Sequence, residues 1–233
     1  MRFGKHFGFT LAETLITLAI IGIVASLTMP SLIQSYKKQE ASARLKKFYS
    51  MMSQAILLSE NNNGPISDWN KPFFKDSDNN DLEPIENNTI VVNYFNSFIK
   101  PYIKYTKVDI NPKDLQDENG QSPNIRVYLS DSSSFIMQNG QCIDFYFDVN
   151  GNKQPNQFGK DTFAFVLCPN QFAFYQCGSN KFWCPYGGSD YDWDNKNNSR
   201  DFLLSKCKSS SAFCGRLLQH DNWEFKSDYP YRL

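Results

Sequence analysis

The sequence predicts an α+β protein in which a long N-terminal helix, transmembrane in its first half, packs on an antiparallel β-sheet. Three observations carry this. Residues 9–29 are apolar but for a few small polar side chains, and Glu13 is their one formal charge. From Ser31 to Glu60 there is neither glycine nor proline, and apolar residues recur at spacings of three and four. After residue 124 the apolar period drops to two, which marks strands.

The first run is long enough to cross a bilayer, since about 20 apolar helical residues span the hydrocarbon. Helix is also the form that satisfies every backbone group within the segment. Arg2, Lys5 and His6 precede the run with no acid among them. Basic flanks stay cytoplasmic, so the short N-terminus should face inward and the bulk of the chain outward. The run is a poor secretory signal, because its basic region is short and no small-x-small cleavage site follows. Glu13 is the anomaly: a carboxylate at membrane depth costs on the order of a few kcal/mol and calls for a partner.

Gly8-Phe9-Thr10-Leu11-Ala12-Glu13-Thr14-Leu15, followed by Leu18-Ala19-Ile20-Ile21-Gly22-Ile23, resembles the signal of type IV pilins and type II secretion pseudopilins. The likeness covers residues 4 to about 35, with Pro30 where many pilins also carry proline. It implies cleavage by a prepilin peptidase between Gly8 and Phe9, then methylation of the new amine on Phe9. It also implies that Glu13 neutralises the corresponding amine of a neighbouring subunit during assembly, since a paired charge in lipid costs less than a lone one. Small residues Ala12, Ala19, Gly22 and Ala25 allow close helix contact. The resemblance thus implies a pilin-like fold, with a leader at 1–8, a transmembrane and filament-core helix at 9–30, its amphipathic continuation at 31–60, and an extracytoplasmic domain at 61–233. The protein would sit in the cytoplasmic membrane with a single pass, its C-terminal domain outside. Its partners would be the peptidase, the membrane and other pilin or pseudopilin subunits. The resemblance does not choose among a pilus, a secretion pseudopilus and a competence filament. A minor subunit that binds DNA or a surface through loops 61–124 or 178–200 is the second expectation.

The amphipathic half of the helix presents Leu45, Phe48, Tyr49, Met52, Ile56 and Ser59 on one face. Asn61-Asn62-Asn63-Gly64-Pro65 supplies the stop. A continuous helix from Phe9 to Glu60 would be about 78 Å long at 1.5 Å per residue, with a kink or melted turn expected at Pro30. The basic cluster from Lys37 to Lys47 reads first as a solvated face; anionic lipid and DNA are the other partners its charge fits. Residues 65–87 read as loop. Thr89–Tyr102 reads as a helix capped by Asn88 and ended by Pro101, and 106–124 again as loop.

The sheet should have three to five strands. Ile125–Leu129 and Ser134–Met137 flank a turn at Ser130–Ser133. Cys142–Val149 and Thr162–Cys168 are the third and fourth, and Gln171–Cys177 a fifth. Short helices are expected at Arg200–Lys206 and Ala212–His220, with Trp223-Glu224-Phe225 as a closing apolar contact.

Charge and cysteines bound the chemistry. The 24 basic and 24 acidic residues balance, so no basic excess points to nucleic acid. All six cysteines (Cys142, Cys168, Cys177, Cys184, Cys207 and Cys214) follow residue 140, which beyond a membrane anchor predicts up to three disulfides. A local Cys207–Cys214 bond is expected; the sequence does not choose among the other pairings. Zinc is disfavoured by the absence of short Cys-x-x-Cys spacing and by having only His6 and His220. No phosphate loop, nucleophile elbow or His-Glu-x-x-His occurs, so the chain is not expected to be an enzyme. One loop offers hard oxygens at calcium-loop spacing: Asp148, Asn150 and Asn152, with Asp161 to close the site. Its sixth position is Lys153 and its twelfth Gly159, so the pattern is partial, and a turn built on Asn150-Gly151 is the alternative. Calcium is the one cofactor the residues suggest.

Overall fold

The computed structural model describes residues 8, 10–69, 83–116, 119–151, 153–169, 177, 181–187 and 199–233. Helix α1 runs from Leu11 to Asn63, 53 residues, or about 80 Å. It continues unbroken through Pro30, so the expected melted turn is not found. Proline removes one N–H from the ladder, and the helix carries that single loss. Gly64, at φ 80°, ends it as Asn61–Pro65 foretold.

Only the second half of α1 is buried by the domain. Ala41, Leu45, Phe48, Met52, Ala55, Ile56 and Ser59 form the covered stripe. Tyr49 packs at its edge, only partly buried. The first half, from Leu11 to Ile33, is exposed almost throughout, and Ile16, Leu18, Ile20, Ile21 and Ile23 are each more than half accessible.

The stripe lies on a six-stranded antiparallel meander in the order β1 to β6. The strands are β1 (Lys107–Asp109), β2 (Asn124–Tyr128), β3 (Ser134–Asn139), β4 (Ile143–Asp148), β5 (Thr162–Leu167) and β6 (Trp183–Pro185). Register sets Val127, Phe135, Phe147 and Phe163 in one row, and Ile125, Met137, Phe145 and Phe165 in the next. Alternation puts all eight on one face, and all are buried. Phe48 meets that face at its centre, stacked on Phe147 at 4.1 Å and edge-on to Phe165 at 5.3 Å.

Six strands exceed the expected three to five. β1 falls in the stretch read as loop between 106 and 124, and β6 within the Cys-rich segment after 177. Each is three residues long, too short for alternation to show. The proposed strand at Gln171–Cys177 lies outside the described residues except for Cys177. Helix α2 (Pro84–Tyr94) continues through Phe95–Ile99 and a last turn at Lys100–Tyr102. It starts before the expected Thr89, with Pro84 in its first turn. Asn88 is therefore not its cap: its amide donates to the carbonyls of Ser122 and Asn124 at 3.1 and 3.0 Å, and to that of Ile110, tying α2 to the start of β2.

Helices α3 (Arg200–Ser209) and α4 (Cys214–His220) bury Leu203, Leu217 and Leu218 in the same core as Phe48, and Trp223 packs on Tyr49 at 5.1 Å. Three disulfides are formed: Cys142–Cys168, Cys177–Cys184 and Cys207–Cys214. The last is the local bond expected from the sequence, and Cys177–Cys184 spans the same seven residues. The first has a register cause. Ile143 opposes Leu167, so the next residue outward on each strand meets its partner.

Candidate functional site

The N-terminal segment comes first. Gly8 is exposed, and Phe9 lies outside the described residues, so one side of the expected cleavage bond is in view. Glu13 folds back on the start of its own helix. Its Oε2 accepts from the Thr10 backbone N–H and hydroxyl, both at 2.8 Å, while the Glu13 N–H donates to Thr10 Oγ1 at 3.3 Å. This is a capping box, and Thr-x-x-Glu is its sequence signature. In the single chain, then, the carboxylate is satisfied locally by two donors. Both are replaceable, because the whole turn is exposed. Behind it runs an apolar helix long enough to cross a membrane, with none of that stretch buried against the domain.

The second candidate is the connection from β4 to β5. Asp161, buried, is its hub: Oδ1 accepts from the Gln157 N–H at 2.7 Å, and Oδ2 from the Asn156 N–H at 2.9 Å and the Asn150 side chain at 3.2 Å. Its carboxylate is thus turned to N–H groups that fix the loop. Asp148 sits at the other mouth, where Oδ1 accepts from the Asn150 N–H at 2.9 Å. Burial pushes the Asp148 carboxyl up to about 7; the Asn150 N–H works against that, and the Asp161 charge adds to it. Asn150 Oδ1 is buried and has no hydrogen-bond partner among the described residues. The Asn156 side chain lies 2.7 Å from the Lys153 carbonyl and 3.2 Å from Asp148 Oδ2, and with its nitrogen facing them it donates to both. With the amide turned the other way, its oxygen faces both of theirs.

The structure therefore brings Asp148, Asn150 and Asp161 together, while Asn152 lies outside the described residues. Sequence spacing missed Asn156 and the Lys153 carbonyl. A hard cation would suit Asp148 Oδ2, Asn150 Oδ1, Asn156 Oδ1 and the Lys153 oxygen, which are calcium-type donors. The orphaned Asn150 oxygen fits that use. Among the described residues no group of three or more acidic, histidine or cysteine side chains forms a metal cluster. Any cation here would rely on one carboxylate together with amide and carbonyl oxygens. The loop is braced from outside as well. Tyr229 donates its hydroxyl to the Gly159 carbonyl at 2.6 Å, and Tyr231 packs so close that a Cβ on Gly159 would lie 2.8 Å from its ring.

Comparison with known proteins gives two matches. Residues 4–29 match the prokaryotic N-terminal methylation motif, so the chain carries a type IV pilin-like prepilin signal. Residues 31–233 match a family described as a family of unknown function (DUF6613). No curated protein matches, and no solved structure does.

Proposed function

We infer that this chain, which belongs to the family of unknown function DUF6613, is a structural subunit of an extracytoplasmic filament of the type IV pilus or type II secretion pseudopilus kind. A prepilin peptidase removes residues 1–8 and the amine of Phe9 is methylated. Until assembly, α1 holds the subunit in the cytoplasmic membrane with its C-terminal domain outside. In the filament the apolar halves of α1 pack together, and Glu13 exchanges Thr10 for the amine of a neighbouring subunit.

The observation that carries this reading is the bare half-helix. Residues 11–33 expose apolar side chains that no other described part of the fold covers, directly behind a carboxylate in an N-terminal methylation motif. Exposed apolar surface on that scale marks a membrane or protein contact. The test is the intact mass and N-terminal sequence of the protein taken from its native membrane. The expected chain begins at Phe9 and is heavier by one methyl group. A chain beginning at Met1, in cells whose prepilin peptidase is active, would overturn the reading.

The orphaned Asn150 oxygen favours a second property: the β4–β5 loop binds calcium through Asp148, Asn150, Asn156 and the Lys153 carbonyl. Calcium at millimolar concentration and fixed ionic strength should raise the melting temperature. Asn150→Ala should abolish the rise, and an unchanged melting temperature in the unaltered protein would sink the idea.

A further inference from the structure

A second feature of the same loop faces α1. Between the helix and the loop lies a cleft of about 390 Å³, with Lys37, Ala41 and Arg44 on the helix side and Val149, Lys153 and Lys160 on the other. Arg44 holds the loop there, donating to the Val149 carbonyl at 2.6 Å and pairing with Glu40 at 2.7 Å. The acidic side chains of the rim are Glu40 and Asp161, with Leu233 beside them. Glu40 is taken by Arg44, and both Asp161 oxygens by N–H donors. Lys37, Lys153 and Lys160 make no ion pair with any described residue.

Their height above the membrane is what gives these lysines a partner. From Leu11 to Ile33 the helix rises about 33 Å, which fills a hydrocarbon core of about 30 Å with slight tilt. Exposed Tyr36 follows, where aromatic side chains gather at membrane interfaces. Lys37 stands about 6 Å beyond Ile33, and the headgroup layer is roughly 5–7 Å deep on each side. The cleft therefore opens at headgroup level, lined by three lysines that make no ion pair with a described residue and by apolar walls at Ala41 and Val149.

We propose that this cleft binds the phosphate headgroup of an anionic phospholipid in the outer leaflet while the subunit is anchored, with Lys37, Lys153 and Lys160 as its ligands. The proposal rests on the membrane-anchored reading above. Such contacts hold the domain down on the bilayer, and they are given up when the helix is drawn into a filament.

The test is amide exchange on the full chain in nanodiscs of phosphatidylcholine, with and without phosphatidylglycerol. Residues 11–33 should be protected in both, which checks the anchoring separately; exchange there without protection would remove the anchored reading itself. Residues 153–160 should exchange several-fold more slowly in the discs containing phosphatidylglycerol. High salt should reverse the effect, and the combined Lys37→Gln, Lys153→Gln, Lys160→Gln variant should lack it. Equal exchange in the two discs would overturn the proposal. So would protection in phosphatidylcholine discs produced by inorganic phosphate, by duplex DNA or by a second copy per disc. Each would assign the cleft to that occupant instead.

Discussion

Asp131 shows how a turn residue can couple the sheet to the long helix. It sits at the tip between β2 and β3, accepts from the Ser133 N–H and hydroxyl, and pairs with Lys47 of α1 at 2.7 Å. Partial burial alone would raise its pKa, but the hydrogen bonds from Lys47 and Ser133 outweigh that and bring it down to about 2. A carboxylate whose folded pKa is depressed adds stability above its unfolded pKa, near 4, and loses it as the pH falls towards 2. Lys47 is mostly exposed, so the pair is screened and contributes about 1 kcal/mol at most. Asp131→Asn should therefore lower the melting temperature slightly at pH 7, and the two proteins should converge near pH 2. Melting curves at pH 7, 4 and 2 check this; a difference that stays constant over the range would mean the ionised carboxylate is not what matters. Asp161, accepting, and Asn88, donating, show the same economy at other positions, each fixing a loop through several hydrogen bonds made by one side chain.

At the scale of elements, the contact of α1 with the sheet turns on Phe48, whose ring lies within 6.0 Å of Phe135, Phe147, Phe165 and Trp183. Phe48→Ala would leave a cavity bordered by four aromatic rings and should cost about 3–5 kcal/mol. Equilibrium unfolding monitored by tryptophan fluorescence checks the value, and a loss below about 1 kcal/mol would mean that the helix is not packed on the sheet as described. That stripe was legible because a helix buried on one side repeats its apolar residues at three and four. The strands from β2 to β5 were legible because a half-buried strand alternates. β1 and β6 were not, since three residues hold no measurable period and Lys107-Val108-Asp109 has charges at both ends. The start of α2 had a signal in Pro84, a residue suited to a first helical turn, but Asn88 offered a competing cap. The Thr10–Glu13 box was equally readable from its spacing. Asn156 was not, because the path of the loop, and no regular spacing, brings its side chain to Asp148 and Lys153.

For the whole molecule the question is what Glu13 does once many copies are together. In the single chain it caps its own helix, so its loss has two consequences that must be separated. Losing a cap at an exposed helix end costs about 1 kcal/mol and frays one turn. On the proposed assembly, losing the charge would also remove the partner that a neighbour's cationic amine needs at membrane depth. Glu13→Gln distinguishes them, since glutamine can serve in a capping box but carries no charge. Thr10→Ala does the opposite, removing the side-chain cap and keeping the carboxylate. If Glu13 pairs with a neighbour's amine, Glu13→Gln should abolish filaments as fully as Glu13→Ala, at normal abundance in the membrane. Thr10→Ala should still assemble. Electron microscopy of sheared filaments, with immunoblots of the membrane fraction, reads both. Filaments from Glu13→Gln would sink the pairing role, because a neutral side chain would then suffice. Their loss in Thr10→Ala alone would show that the preformed first turn governs assembly.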